Sequence, residues 1–442
     1  MRASAFGERI ESRHRKTLPP RTIKVFTMAA ASGMGQAMHA LPPLKSNIRP
    51  ASTAGGTASE PEIDRFLAVA LVQDEIAWPA HWSFGAVEAE VLRRITYHGI
   101  AGLLSERLKA LHGWPLDILA GIRELSLAQA MWETRHRTVL VRLVGALAEV
   151  GVRSLFLKGT GLAYDLYQNP AARARGDTDL LVARDQLAGA RQILTALGFV
   201  VDPNVAGLSD ELHLQEIWRL EHPDNSRHDV DVHWQVMNSF ALSKAIDTDA
   251  CFSGAIPLPR LAPGALTLDH VTMLIHTALH KATHIVSPYF SDGRAYYGGD
   301  RLVWIYDIHL LAGSLSDSEW RHLVDVVRKD GIAEVCLAAL VCARDGLGTS
   351  IPGAVLNELQ AAVSQDWQSG FLLRSGQLAR AWRDLHALTG WRSKAAYLRS
   401  RVLPAPAFVR AKYPGLANAP LFVLYLRRAA DLFRRRPGLR RP

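Results

Sequence analysis

Two aspartates one residue apart on an apolar strand constrain this chain more than anything else in its 442 residues. Residues 155–182 read LFLKGTGLAYDLYQNPAARARGDTDLLV. An apolar strand runs into Lys158-Gly159-Thr160, a short helix follows, and Asp177-Thr178-Asp179-Leu180-Leu181-Val182 alternates as a half-buried strand does. Asp177 and Asp179 therefore point to one face. Like charges a few ångströms apart raise each other's pKa, so the pair is costly unless a cation lies between them. Mg2+ suits that position, because it takes oxygen ligands, usually one or two carboxylates, and completes its shell with water and substrate phosphate.

A third carboxylate is expected on a neighbouring strand. Residues 227–236, RHDVDVHWQV, set Asp229, Asp231, His233 and Gln235 on one face and Val230, Val232, Trp234 and Val236 on the other. His233 thus looks toward the site and Trp234 toward the core. A hairpin turning at residues 221–225 is the economical way to bring this strand beside the first pair. A D-x-D by itself is common in surface turns and specifies little. On a strand that follows a Lys-Gly-Thr bend, with a further carboxylate strand downstream, it specifies much more.

The order Leu-Lys-Gly, Arg-x-x-Gly-Asp-x-Asp-Leu-Leu-Val and Asp-Val-His-Trp resembles the nucleotidyltransferase superfamily with the DNA polymerase β type of palm. More closely, it resembles the bacterial family labelled uncharacterised nucleotidyltransferase, some of whose members sit beside peptide natural-product genes. The likeness covers roughly residues 60–430 and is strongest at the aspartates. By this resemblance, Gly159 and Thr160 stand where a Gly-Ser turn touches phosphates, with Thr160 in place of the commoner Ser. Asp177 and Asp179 match the metal-binding carboxylates and Asp231 the third. Asp229 shares the face of Asp231 and is the second candidate, ranked lower because Asp231 directly precedes Val-His-Trp. Lys158 and Arg173 fall at positions the narrower family also marks. Each suits either phosphate contact or an ion pair with the acidic cluster.

The resemblance implies an α+β chain: a small mixed-sheet nucleotidyltransferase palm flanked by N- and C-terminal helical regions. It also implies Mg2+-dependent transfer of a nucleotidyl group from a nucleoside triphosphate to a small-molecule or peptide acceptor, with a place in natural-product biosynthesis. Two Mg2+ ions about 3.5–4 Å apart would orient the attacking oxygen and stabilise the leaving pyrophosphate. Asp177, Asp179 and Asp231 would be the metal-holding, catalytic residues, and Lys158, Gly159, Thr160 and Arg173 the nucleotide-binding ones. A different class of function on the same fold is a catalytically silent nucleotide-binding or partner-binding protein. Hydrolysis without transfer is a third reading.

Nucleic acid as a partner is disfavoured by where the charge lies. Residues 1–50 hold nine Lys or Arg against two Glu, and residues 401–442 ten against one Asp. Of the net charge of +9, the two ends therefore carry +16 and the stretch between them −7. Basic ends of this kind read as solvated tails. Three scattered cysteines without C-x-x-C spacing fit a reducing cytoplasm, and no run approaches the ~18 apolar residues of a membrane span.

In chain order, residues 1–57 are expected to be a disordered basic tail, with Met28 or Met34 as alternative starts, and 58–150 an N-terminal helical region. The palm follows over 151–240, a C-terminal helical region over 241–400, and a basic helix and tail over 401–442. Within the palm, the pattern predicts strands at 154–157 and 177–182, helices at 161–167 and 186–197 with Asp185 as N-cap, and extended segments at 199–201 and 212–220. Residues 267–270 open a helix carrying His276, His280 and His284 on one face. Without a glutamate as in H-E-x-x-H, these read as core or pocket-wall histidines rather than zinc ligands. Residues 287–300 read as a loop, and Arg301 and Asp307 as residues that fix helix packing.

Overall fold

A computed structural model describes residues 58–434, apart from 83–84, 203–209, 223–225, 292–293 and scattered positions between 405 and 418. The N-terminal basic segment and Arg435-Arg436 of the terminal Arg run lie outside the described residues.

Helices α1 (Glu60–Ala70), α2 (Ala86–His98), α3 (Ala101–Glu106) and the 34-residue α4 (Leu116–Glu149) come first. A short parallel pair, β1 (Ile76–Ala77) with β2 (Leu111–His112), clasps the loops between them. Helix α3 stops at Glu106 and gives way to a 3-10 turn at Leu108–Ala110. In α4, Val139, Leu140, Leu143, Val144 and Leu147 recur at helical spacing and form the stripe that covers the sheet. Gly151 ends it with a φ of +72°, a conformation glycine adopts without strain.

Strand β3 (Ser154–Leu157) leads directly into α5 (Lys158–Asp165), so the Lys-Gly-Thr bend is the first turn of the helix rather than a loop before it. Strand β4 (Asp177–Val182) is followed by a 3-10 turn at Arg184–Gln186 and then α6 (Leu187–Ala196). That turn displaces the helix start, so the residue at the N-cap is Gln186 and Asp185 makes no capping bond. Strands β5 (Val200–Val201), β6 (Gln215–Glu221) and β7 (Arg227–His233) come next, β6 and β7 as the expected hairpin. After the short α7 (Thr248–Ser253) come β8 (Ile256–Pro257) and β9 (Leu266–Thr267). Residues 266–267 are thus a strand, and α8 (His270–Thr283) begins behind an Asp269 cap. Residues 287–300, expected to be a loop, contain a small hairpin of β10 (Tyr289–Ser291) and β11 (Arg294–Tyr296).

The seven-stranded mixed sheet has the order β5-β6-β7-β4-β3-β9-β8. Strand β4 runs antiparallel to β3 and parallel to β7. One face, with Phe156, Leu180, Val182, Val230, Val232 and Trp234, packs on α4 and α6. The other, with Leu155, Leu157 and Leu181, joins a larger core. This core takes in α1, α2 and the start of α4 together with α8, α9 (Leu302–Ser314), α10 (Asp317–Lys329), α11 (Ala333–Leu347), α12 (Gly353–Ala362) and α13 (Ser369–Arg374). Helices on both sides of the sheet in sequence therefore share one interior. Helices α14 (Gln377–Ala387) and α15 (Trp391–Val402) and the helix Leu421–Arg434 complete the described chain.

Helix α11 packs on α1, α8 and α9 at the middle of that interior, and Leu340 within it is fully buried. Leu340→Ala is expected to cost about 2–5 kcal/mol through lost transfer energy and the cavity left behind. Urea unfolding followed by circular dichroism measures it; a loss below about 1 kcal/mol is incompatible with this packing.

Candidate active site

The parallel pairing of β4 and β7 decides what the carboxylates can do. Its register sets Asp177 beside Asp229 and Asp179 beside Asp231. Alternation turns all four to the face shared with Leu181, under the layer that holds α8 and α9. Ligand atoms of Asp179, Asp231 and His233 lie within 4.8 Å of one another. At an effective dielectric constant of about 20, two carboxylates at such a distance repel by roughly 3–4 kcal/mol.

Lys158 answers part of that repulsion. Its Nζ lies 2.6 Å from Asp179 Oδ1. The residue has a φ of +47°, the one left-handed non-glycine among the described residues, a conformation that costs about 1–2 kcal/mol. The sharp turn from β3 into α5 throws the ammonium across onto β4. It also leaves the Gly159 and Thr160 amides in the first helical turn, where N–H groups have no intrahelical acceptor and favour anions.

The three carboxyls are pushed apart electrostatically. Burial and the adjacent Asp179 raise Asp177 to about 6, and burial with Asp177 and Asp179 raises Asp231 well above the carboxylate range. Burial acts the same way on Asp179, but Lys158 and His233 outweigh it and hold that carboxylate low. Burial also works against the charge on Lys158, yet the three aspartates raise its pKa. Among the described residues, neither Asp177 nor Asp231 has an ion-pair partner of its own.

Asp229 differs from Asp231. Its carboxylate accepts from Arg219 Nε at 3.1 Å and Arg227 Nε at 2.9 Å and is buried beneath them. Arg173 is buried too, donating from Nη2 and Nε to the two oxygens of Asp307 at 2.6 and 3.2 Å. Tyr167 donates to the same carboxylate at 2.6 Å. Its ion pair is thus with α9 and not with the acidic cluster, although its Nη1 still borders Gly159. The Thr160 hydroxyl points through the sheet, 2.8 Å from Thr178 Oγ1, which lies 2.7 Å from His136 Nε2 on α4. What Thr160 turns to the carboxylate face is its backbone.

His233 was legible in the sequence only as a side chain facing the site; the structure gives it partners. Asn238 donates its amide to Gln215 Oε1, so its Oδ1 faces His233 Nδ1 at 3.0 Å. Burial lowers the ring's pKa, and its Nε2 lies 2.9 Å from Asp179 Oδ1. Three acidic groups opposed by one ammonium, with a buried imidazole beside them, therefore fit a divalent metal ion. His276 stands near the same cluster, lowered to about 3 by burial and by Lys158, with its buried Nδ1 unpartnered among the described residues.

With this geometry the chain belongs to a known group. Residues 87–348 match the family described as uncharacterised nucleotidyltransferase, and the chain is a member of it. The match spans β3 to β9, α8 and α9. Membership implies nucleotidyl transfer with a nucleoside triphosphate as substrate. No curated protein matches the chain. No helix among the described residues is long and apolar enough to cross a membrane.

Since Asp177 titrates near 6 rather than at its usual 3.8, its charge opposes folding. The penalty is absent below about pH 4 and grows as pH rises through 6. In the presence of a chelator at pH 8, Asp177→Asn is therefore expected to stabilise the protein by about 1–3 kcal/mol and to leave it unchanged at pH 4. Thermal melts at both pH values read this out; destabilisation at pH 8 contradicts the electrostatic account.

Proposed function

We propose that the chain is a Mg2+-dependent nucleotidyltransferase that moves a nucleotidyl group from a nucleoside triphosphate to a small-molecule or peptide acceptor. The observation that carries this reading is the register of Asp179 beside Asp231, with Asp177 on the same face and the α5 N-terminus at its edge. Asp177, Asp179 and Asp231 hold the metal, with His233 Nε2 as a further donor. Bound there, the metal supplies charge neutralisation for the phosphates and activation of the attacking oxygen. The Gly159 and Thr160 amides cradle phosphate. With a cation held there, Lys158 would be free to leave Asp179 for the phosphates, and Asp231 would accept the acceptor's proton. Arg173, held by Asp307, stiffens the wall behind Gly159 and adds positive potential there. Of Asp231 and Asp229, the former is the third ligand, because two arginines already neutralise Asp229. The acidic middle of the chain speaks against a nucleic-acid acceptor, and buried unbridged cysteines accord with a cytoplasmic setting.

One observation favours a silent binding protein: Lys158 Nζ already sits on Asp179 Oδ1, where it can stand in for a metal's charge. Incubation with each of the four α-labelled triphosphates, Mg2+ or Mn2+ and candidate acceptors separates the two. Transfer predicts a product heavier by one nucleotide and release of pyrophosphate. Asp179→Asn and Asp231→Asn are each expected to lower turnover at least 1,000-fold while circular dichroism stays unchanged. Nucleotide binding that is indifferent to divalent ions, with no turnover, establishes the silent reading instead.

A further inference from the structure

Arg301 is a buried cation that the proposed chemistry has not used. It is 5% exposed, and among the described residues no carboxylate lies within ion-pair reach of it. Its Nε donates to the Tyr97 carbonyl at 2.7 Å, while its two terminal amines have no acceptor among the described residues. It is also the N-cap of α9, where the helix dipole is positive and a second positive charge is unfavourable. What steadies it is aromatic: the guanidinium carbon lies 3.8 Å from the Tyr289 ring centroid and 5.2 Å from that of Trp304. Room is made by Gly99, where a Cβ would come within 2.7 Å of Arg301 Nη2. Burial lowers its pKa, and the neighbouring Arg173 adds to that.

The position of this unpaired cation is informative. Gly99, which Arg301 borders, also lies beside Ala174, whose carbonyl accepts from Arg173 Nη1. The same Nη1 borders Gly159 in the first turn of α5. Arg301 is thus linked through this stretch and Arg173 to the first turn of α5, and of Lys158, Arg173 and Arg301 the first two are already matched by aspartates. A buried, unmatched guanidinium held over aromatic rings keeps two terminal donors for an anion.

We infer that Arg301 is an anion receptor of this site, binding the outer phosphates of the nucleoside triphosphate through its two terminal amines. The assignment rests on the nucleotidyl-transfer reading and deepens it by naming a residue that distinguishes a triphosphate from shorter anions. Tyr289 and Trp304 are positioning residues, fixing the plane of the guanidinium.

Isothermal titration of the full chain with inorganic tripolyphosphate and with orthophosphate, both with Mg2+, tests it. Arg301→Gln is expected to weaken tripolyphosphate binding roughly 10- to 100-fold and orthophosphate binding by no more than about twofold. A merely structural role would weaken both alike. Should Arg301→Gln not fold, Arg301→Lys keeps the charge but loses the paired donors, and about fivefold weakening toward tripolyphosphate is expected. Binding of tripolyphosphate by the folded variant within twofold of the parent overturns the assignment and leaves the transfer reading intact. If the parent chain binds neither tripolyphosphate nor any nucleoside triphosphate, the transfer reading falls as well.

Discussion

Repulsion between carboxylates on two adjacent parallel strands is the constraint to which the rest of this structure answers. Strands about 4.8 Å apart cannot hold Asp177, Asp179 and Asp231 on one face without several kcal/mol of compensation. The chain supplies one ammonium, from Lys158, and two arginines that attend to Asp229 instead. The remaining imbalance is confined to a place where burial amplifies it. That is an expensive arrangement for a scaffold and a sensible one for a site that receives a cation together with an anionic substrate.

Holding such a site requires stiffness behind the sheet and within it. Behind it, α4 and α6 seal a dry layer against Phe156, Leu180 and Trp234. Within it, β9 is tied to β3 by the Thr267 hydroxyl, which donates to the Phe156 carbonyl at 2.7 Å. A side chain at Gly161 would collide with that same Thr267 and with the Phe156 carbonyl, so glycine there lets α5 settle directly against β9. The left-handed Lys158 persists because this packing over-determines the turn. Backbone strain and side-chain charge are therefore linked: the conformation that costs energy at Lys158 is the one that delivers its ammonium to Asp179.

Where local pattern and tertiary demand agreed, the sequence could be read closely. β3 and β4 fall at 154–157 and 177–182 as the alternation required, and Trp234 is buried while His233 faces the aspartates. The misreadings have separate causes, one a distant partner and the others local geometry that the residue types do not announce. Leu266-Thr267 is a strand only because β3 offers it an edge, and Tyr289–Ser291 pairs with Arg294–Tyr296 in a stretch whose polar residues look like a loop. Asp185 has the chemistry of an N-cap, but a 3-10 turn intervenes before the helix. His98 carried no local signal at all. Its role appears when its Nδ1 accepts from the Leu302 amide and its Nε2 lies 2.7 Å from Asp64, joining α1, α2 and α9.

The two faces of the sheet also explain which hydroxyls and carboxyls can matter. Thr160 bonds Thr178, which in turn bonds His136 behind the sheet, so exchanging Ser for Thr at position 160 alters the packed side and not the side facing the aspartates. A backbone cradle asks nothing of that side chain, so the departure from Ser is compatible with the proposed phosphate contact. Among the acids, position alone does not separate Asp229 from Asp231, since both occupy the same face of β7. Charge does: Asp229 lies under two guanidinium groups, whereas Asp231 shares with Asp177 a single ammonium already engaged by Asp179. The carboxylates left unmatched are the ones the proposed chemistry uses.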